Sequence, residues 1–566
     1  MIHVLPPTSW VPYPAHALAK PQVVWRGMIE LQRTELSEYA YCTPLPGDSA
    51  GAYLAASKTF MADRYGGGGL KSNGGGARCG IWGEAQVKGL GRNCLAGSQT
   101  SFWHAYGGAS LAECIREAIW GEVCHAALPF GALRLYGLIK TGTEVPRPAR
   151  AGDDAAPSTA RGLAVREIAL RPAHFIRANY FSRRDEQQHG LVADHARTAN
   201  AVRSFQAACQ GLFGGAGSLN DNFSAIVRRA AIQLAAARAK RIAHGALTAS
   251  NFCLDGRWLD FGTMSTVSDF GPIIVATGMP DATEQHSLLR ASISDLHAAL
   301  KRHLPPQEAA ELAGEDVFWS HLMSALEHGS QVEFAKLTGI PTDALASASP
   351  ALLARFYACT SKIISHSGEP FKLFDNPVSG QPQMPQQMGR YALDKIMVTL
   401  ATSTSADTAE RRLETELGDP VLRRETVTAY SALRSHFLTQ RRASADGRHR
   451  LLCFSALNAV RVNTPVPALY RHHLEADIDA LLTEGGDIDA GVTRHVERAG
   501  ELLNEPRAGN IALDAALGVN AVTCSEQALT VGTTAIGLDS LIKLLPPPDT
   551  ACHLSKLQRL MCDTAT

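Results

Sequence analysis

Glycine is concentrated in one stretch of this 566-residue chain: 12 fall in the 32 residues from Gly66 to Gly97, where the overall total of 49 would place about 3. The stretch contains YGGGGLKSNGGGARCGIWGEAQVKGLGRN, which reads as a glycine loop, a short strand over IWGEAQVK and a second glycine turn after Lys88. A slack surface loop is the plain reading. Arg78, Lys88 and Arg92 lie among the glycines, however, so bare backbone N–H groups and fixed positive charge come together. That combination suits a bound phosphate better than a slack loop.

Downstream of the glycines, SLAECIREAIWGEVCHAA from Ser110 to Ala127 carries a capping Ser, Glu three residues later, apolar positions at helical spacing and Pro129 beyond its end, which predicts a helix. ALRLYGLIKTG and GLAVREIAL read as strands separated by an exposed loop rich in Pro, Ala, Gly and charge. From Phe175 the period turns helical, with a long Ala-rich helix expected from Phe223 to His244, and beyond about residue 285 most segments look helical without a repeat. The expected divisions are an N-terminal extension over 1–49, a mixed lobe over 50–172, a helical lobe over 173–330 and a helical C-terminal extension over 331–566. Lys plus Arg number 54 and Asp plus Glu 54, so no overall field attracts a polyanion, and neither nucleic acid nor membrane is an expected partner. The 12 cysteines stand singly with no C-x-x-C pair, the opening residues lack a basic segment followed by an apolar run, and no window approaches a membrane span. A cytoplasmic protein with reduced thiols is expected.

The most informative segment is HGALTASNFCLDGRWLDFG, from His244 to Gly262. Protein kinases build the metal end of their site from a loop of the form H-R-D-x-x-x-x-N followed by D-F-G, and Asn251 and Asp260 occupy those two ligand places. A carboxamide and a carboxylate are hard oxygen donors of the kind Mg²⁺ takes beside nucleotide phosphates. Lys88 closes a strand after the glycine loop and Glu117 lies in the next helix, the order in which such a fold pairs its phosphate-contacting Lys with a helix Glu. Taken singly, each is an ordinary strand-end lysine or helix-surface acid. The place of the kinase's proton-accepting Asp holds Ala246, which puts ordinary phosphoryl transfer to a hydroxyl in doubt.

With these residues in view, the chain resembles the selenoprotein O family, also called YdiU: kinase-like proteins that bind ATP in a flipped orientation and transfer AMP to protein hydroxyls. The matching words are GGGARCGIWGE, QVKGLGRN, CIREAIWGEVCHAALPFGALR, AVREIALRPAHFIRANYF and HGALTASNFCLDGRWLDFG, which cover about residues 60–265. A nearer similarity is to an MchC-like branch associated with peptide maturation. The resemblance implies nucleotide contacts from Gly75, Arg78 and Gly107, phosphate contacts from Lys88 with Glu117 as its partner, further phosphate contacts from Arg166 and Arg177, and metal binding by Asn251 and Asp260. Ser250 stands where the family has an Asp assigned as base, and a neutral serine has no useful basicity near pH 7.

The expectation is therefore an α+β, protein-kinase-like two-lobed fold with a large helical C-terminal extension. The expected function is Mg-ATP-dependent nucleotidyl transfer, with Mn²⁺ as an alternative metal, giving AMP transfer or adenylate activation on a protein or peptide. The alternative is a pseudokinase that binds ATP and serves as scaffold or partner subunit of a peptide-modifying enzyme. The acidic run LEADIDALLTEGGDID lacks the ligand spacing of a calcium loop and reads as a solvated helix face, and QRRASADGRHR lacks aromatics for stacking bases.

Overall fold

The computed structural model describes residues 4–68, 74–97, 106–146, 158–179, 190–215, 217–366, 368–373, 384–385, 387–440 and 445–505, with four short strands beyond. Part of the glycine-rich loop (69–73), the middle of the loop after residue 146 and most of the final 61 residues lie outside the described residues.

Residues 10–166 supply the strands β1 (Trp10–Leu18), β2 (Gln22–Arg26), β3 (Tyr41–Cys42), β4 (Tyr53–Asp63), β5 (Cys79–Trp82), β6 (Ala85–Lys88), β7 (Leu135–Pro146) and β8 (Ser158–Arg166). They form an eight-stranded antiparallel sheet in the order β2-β7-β8-β6-β5-β4-β1-β3. The segment over 1–49, expected as an extension, thus supplies three strands to the same sheet as the lobe over 50–172. Pro12 and Pro14 mask β1 in the sequence. They are tolerated because β3 pairs only His16 and Ala17, leaving the edge beside the prolines without a ladder to interrupt. IWGEAQVK is two strands rather than one: Trp82 pairs with Ala85 across a two-residue turn in which Gly83 takes φ 57°.

The pleat decides which side chains reach the site. Val87, Leu163 and Val165 point into one apolar cluster with Tyr39 and Phe60, whereas Leu138 and Ala164 pack on the other face with the helix α1 (Leu111–Ala127). By the two-residue period, Gln86, Lys88 and Arg166 project on the α1 face, and the register sets Gln86 opposite Arg166 and Lys88 opposite Ala164. Helix α1 begins as expected, Ser110 Oγ accepting from the Glu113 N–H at 3.0 Å.

The remainder is mainly helical, although Ile273–Ile274 pairs with Phe371–Lys372, and four short strands between residues 511 and 535 form a separate antiparallel sheet in the segment expected to be helical. The helices are α2 (Asp194–Arg203), α3 (Phe205–Phe213), α4 (Leu219–Ala239), α5 (His286–His303), α6 (Pro306–Glu311), α7 (Glu315–Lys336), α8 (Thr342–Ala346) and α9 (Pro350–Ile364). Then follow α10 (Leu393–Thr402), α11 (Ala406–Arg412), α12 (Pro420–Gln440), α13 (Ala445–Asn463), α14 (Arg471–Thr483) and α15 (Ile488–Leu503). The Ala-rich helix α4 stops short of the expected His244 because Arg241 adopts a left-handed φ of 56°, and the chain continues into β9 (Ile242–Ala243), which pairs with β10 (Ser265–Thr266). No helix among the described residues is long and apolar enough to cross a membrane.

A single apolar cluster runs from α1 through α4, α5 and α7 to α14 and α15. Phe223 of α4 and Phe318 of α7 meet edge to face inside it, with ring centroids 4.3 Å apart and both side chains fully buried. Phe223→Ala is expected to lower unfolding free energy by about 3–5 kcal/mol, read as a shift in the urea midpoint, because the large cavity cannot close completely.

Candidate nucleotide and metal site

Lys88, 3 % exposed, is the hub of the site. Its Nζ lies 2.9 Å from Glu117 Oε1, 2.6 Å from Asp260 Oδ1 and 3.3 Å from Glu113 Oε1. Glu113 and Glu117 are four residues apart and therefore share one face of α1. Glu113 also binds Arg78, whose Nη2 and Nη1 donate at 2.6 and 3.1 Å in a two-pronged contact. Glu117 Oε1 accepts from the Phe261 N–H at 2.9 Å as well, fastening the residue after Asp260 to the helix. Arg166 donates to Gln86 Oε1 at 3.0 and 2.9 Å, and its Nη1 lies 3.5 Å from Glu117.

Asp260 reaches this cluster from the end of a small hairpin, and Asn251 lies on the opposite arm of that hairpin. Phe252 bridges to Trp258, the Leu259 N–H donates to the Asn251 carbonyl at 3.1 Å, and Gly256 turns at φ 92°, so the two residues flank the open end. Asp260 itself is left-handed, φ 63° and ψ 70°, an uncommon conformation for a residue with a side chain and one that collects at functional positions. Asn251 Nδ2 donates to the Ala246 carbonyl at 2.7 Å, which orients the carboxamide oxygen toward the Ser250 hydroxyl, 3.2 Å away. Ser250 Oγ in turn lies 3.0 Å from Thr248 Oγ1. His244 is buried and structural: burial drives its pKa down to about 4, and its neutral ring donates from Nε2 to the Leu259 carbonyl at 3.1 Å.

The glycines act through the backbone. Gly75 takes φ 139°, and a Cβ there would sit 2.2 Å from the Asp63 carbonyl oxygen. Gly107 takes φ 89°, its carbonyl accepts from the Gly91 N–H at 3.1 Å, and a Cβ would fall 2.0 Å from the Arg92 nitrogen. The first lets the loop pass close against the Asp63 backbone, and the second locks two loops together.

Not every expected residue joins the cluster. Arg177 has an exposed side chain, and its backbone carbonyl accepts from Gly67 at 3.1 Å. The arginine found at the site is Arg171, which donates to the Ser250 carbonyl at 2.9 Å, lies 3.4 Å from Gln86 Oε1 and stacks over Tyr65 at 4.7 Å. Sequence reasoning also passed over Glu113, although its spacing of four from Glu117 was a readable sign.

Three cations, Arg78, Lys88 and Arg166, thus meet three carboxylates, Glu113, Glu117 and Asp260. Burial alone would raise Glu113, but Arg78 and Lys88 overcome it and hold the carboxyl at about 2. Asp260 is likewise held well below the usual carboxylate range, burial being outweighed by Lys88, Arg166 and Arg78. Lys88 is pushed up by Asp260, Glu117 and Glu113 against the opposing effect of burial. Asn251 and Asp260 offer one carboxamide and one carboxylate, a donor pair that fits Mg²⁺ or Mn²⁺ shared with phosphate oxygens. Comparison of the chain with protein-family models and with curated proteins gives no match.

Because the folded pKa of Glu113 lies below its ordinary value of 4.5, the stability it contributes is complete above about pH 4.5 and is lost as pH falls toward about 2. Lys88→Met removes one of the cations responsible. Urea midpoints measured from pH 5 to pH 2 are expected to fall less steeply in Lys88→Met than in the wild type.

Proposed function

We propose that the chain is a Mg-ATP-dependent nucleotidyltransferase acting on a protein or peptide, built on a kinase-like two-lobed fold with a helical extension. The observation that carries this reading is the convergence of Lys88, Glu117 and Asp260, from a strand, a helix and a hairpin far apart in sequence, at 2.6–2.9 Å. The antiparallel sheet with α1 on one face, and the mainly helical remainder, support the two-lobed description.

Arg78, Lys88 and Arg166 would hold the phosphate oxygens and offset charge that builds on them during transfer. Asn251 and Asp260 would hold the metal, which supplies electrostatic stabilisation of the phosphates. An acceptor oxygen then attacks the α-phosphorus, the bond to the β-phosphate oxygen breaks, and pyrophosphate departs. The loop beside the metal ligands presents the Thr248 and Ser250 hydroxyls rather than a carboxylate. These hydroxyls already donate in sequence, Thr248 to Ser250 and Ser250 to Asn251 Oδ1, and neither can take the proton of an alcohol at neutral pH, so the loop suits an acceptor that is already an anion. A carboxylate acceptor, giving an acyl adenylate, meets that condition, because no proton has to move. The same loop also favours a second reading, in which the chain binds ATP without catalysis and acts as scaffold or partner subunit.

ATP labelled separately on the α- and γ-phosphates, incubated with candidate peptides, divides these readings. Transfer of the α label, or pyrophosphate release with hydroxamate formed on adding hydroxylamine, is the expected result. Transfer of the γ label would contradict it, and metal-dependent binding with neither label moving would favour the scaffold.

Asp260→Ala is expected to reduce Mg-ATP affinity at least tenfold with the circular-dichroism spectrum preserved, and unchanged affinity would remove the metal assignment. Ser250→Asp restores a base beside Asn251, and a gain of AMP transfer to hydroxyl acceptors of about 10²-fold or more is expected.

A further inference from the structure

Helix α1 carries both Glu113 and Glu117, so the placement of Lys88 depends on where this helix sits. Arg116, one residue before Glu117, is turned about 100° round the helix from it. It leaves the Lys88 face and forms an ion pair with Glu475 of α14, its side chain only 14 % exposed. Glu475 is held from its own helix by Arg471 Nε at 2.9 Å. The start of α14 and the residues just before it also touch the segment that follows Asp260. The Arg471 N–H donates to Ser265 Oγ at 3.0 Å, and Thr266 Oγ1 donates to the Val466 carbonyl just before α14 at 2.8 Å. Ser265 and Thr266 follow Asp260 by five and six residues. Apolar contact backs these polar ones: α14 and α15 pack against α1, and Leu474 and Ile478 share a core with Ile115 and Ile119.

We infer that the first turn of α14 is a positioning element for the site, Arg116 and Glu475 acting as positioning residues that tie the Lys88-binding face of α1 to the segment after Asp260. The inference rests on the nucleotide reading where it predicts ligand affinity, but not where it predicts the order of the ligand-free protein. A movement of α14 would shift the carboxylates on α1 and the backbone behind Asp260 together, whereas neither Arg116 nor Glu475 belongs to the Lys88 cluster.

The test uses the full chain with Arg116→Gln, Glu475→Gln, their double substitution and the charge-retaining Arg116→Lys. Hydrogen exchange of the ligand-free proteins is expected to quicken in peptides covering 111–127 and 261–266 together, with peptides from α9 unchanged. Calorimetric titration with Mg-ATP is expected to show about three- to tenfold weaker binding in each Gln variant, no further loss in the double, and partial recovery in Arg116→Lys. Exchange that quickens only within α14, or affinity losses that multiply in the double, would overturn the inference. If the wild type binds no Mg-ATP, the nucleotide reading fails, and the exchange pattern alone decides whether α14 positions α1. A variant that unfolds, seen as exchange rising throughout, is replaced by Glu475→Asp under the same criteria.

Discussion

A buried ammonium group must be neutralised, and Lys88 is neutralised by groups the chain can supply only when strand, helix and hairpin are all in place. Removing Glu117, the partner buried as deeply as Lys88 itself, would leave charge uncompensated with little water beside it, which costs several times more than losing an exposed pair. The ion cluster is therefore a requirement as well as a site: β6 must register with β8, α1 must lie on the sheet face from which Lys88 projects, and the hairpin ending in Asp260 must close against both. Glu117 concentrates this requirement, binding Lys88 and the Phe261 N–H through the same oxygen while Arg166 approaches the other. Phosphate oxygens entering the site would find cations already fixed in direction, so little reorganisation is needed at binding.

The nearby loop differs in kind. Around Ser250 the groups are neutral and small: two hydroxyls, a carboxamide and the Ala246 carbonyl. Arg171 grips the Ser250 backbone from below and carries a fixed positive charge to that side. An arrangement rich in donors and cations, with the base position held by serine, favours an anionic partner over an alcohol. This contrast between a side bearing three cations and three carboxylates and a side of neutral groups backed by Arg171 separates the proposed chemistry from phosphoryl transfer to a hydroxyl.

Much of the cluster could be read in advance because it depends on local order. The nine-residue spacing of Asn251 and Asp260, Lys88 at the end of a strand and Glu117 in a capped helix are all sequence patterns with a physical reason. What stayed hidden depends on contacts across the chain. Arg171 and Arg177 are both arginines within one segment, and only the fold decides that the first turns inward while the second faces solvent. β1 was obscured by its prolines, since their acceptability is a property of the sheet edge and not of the strand itself. The turn within IWGEAQVK was obscured in the opposite way, by apolar and β-favouring residues on both sides of Gly83. The tie from Arg116 to Glu475 spans 359 residues and leaves no pattern in the sequence.

The most direct test of the central claim is labelling by an acyl-phosphate derivative of ATP, which transfers its acyl group to a lysine lying against the bound phosphates, followed by peptide mass spectrometry. Lys88 is expected to be the principal site of labelling, and excess Mg-ATP is expected to suppress it. Labelling spread over surface lysines, or Lys88 labelling that Mg-ATP leaves unchanged, would contradict the central claim.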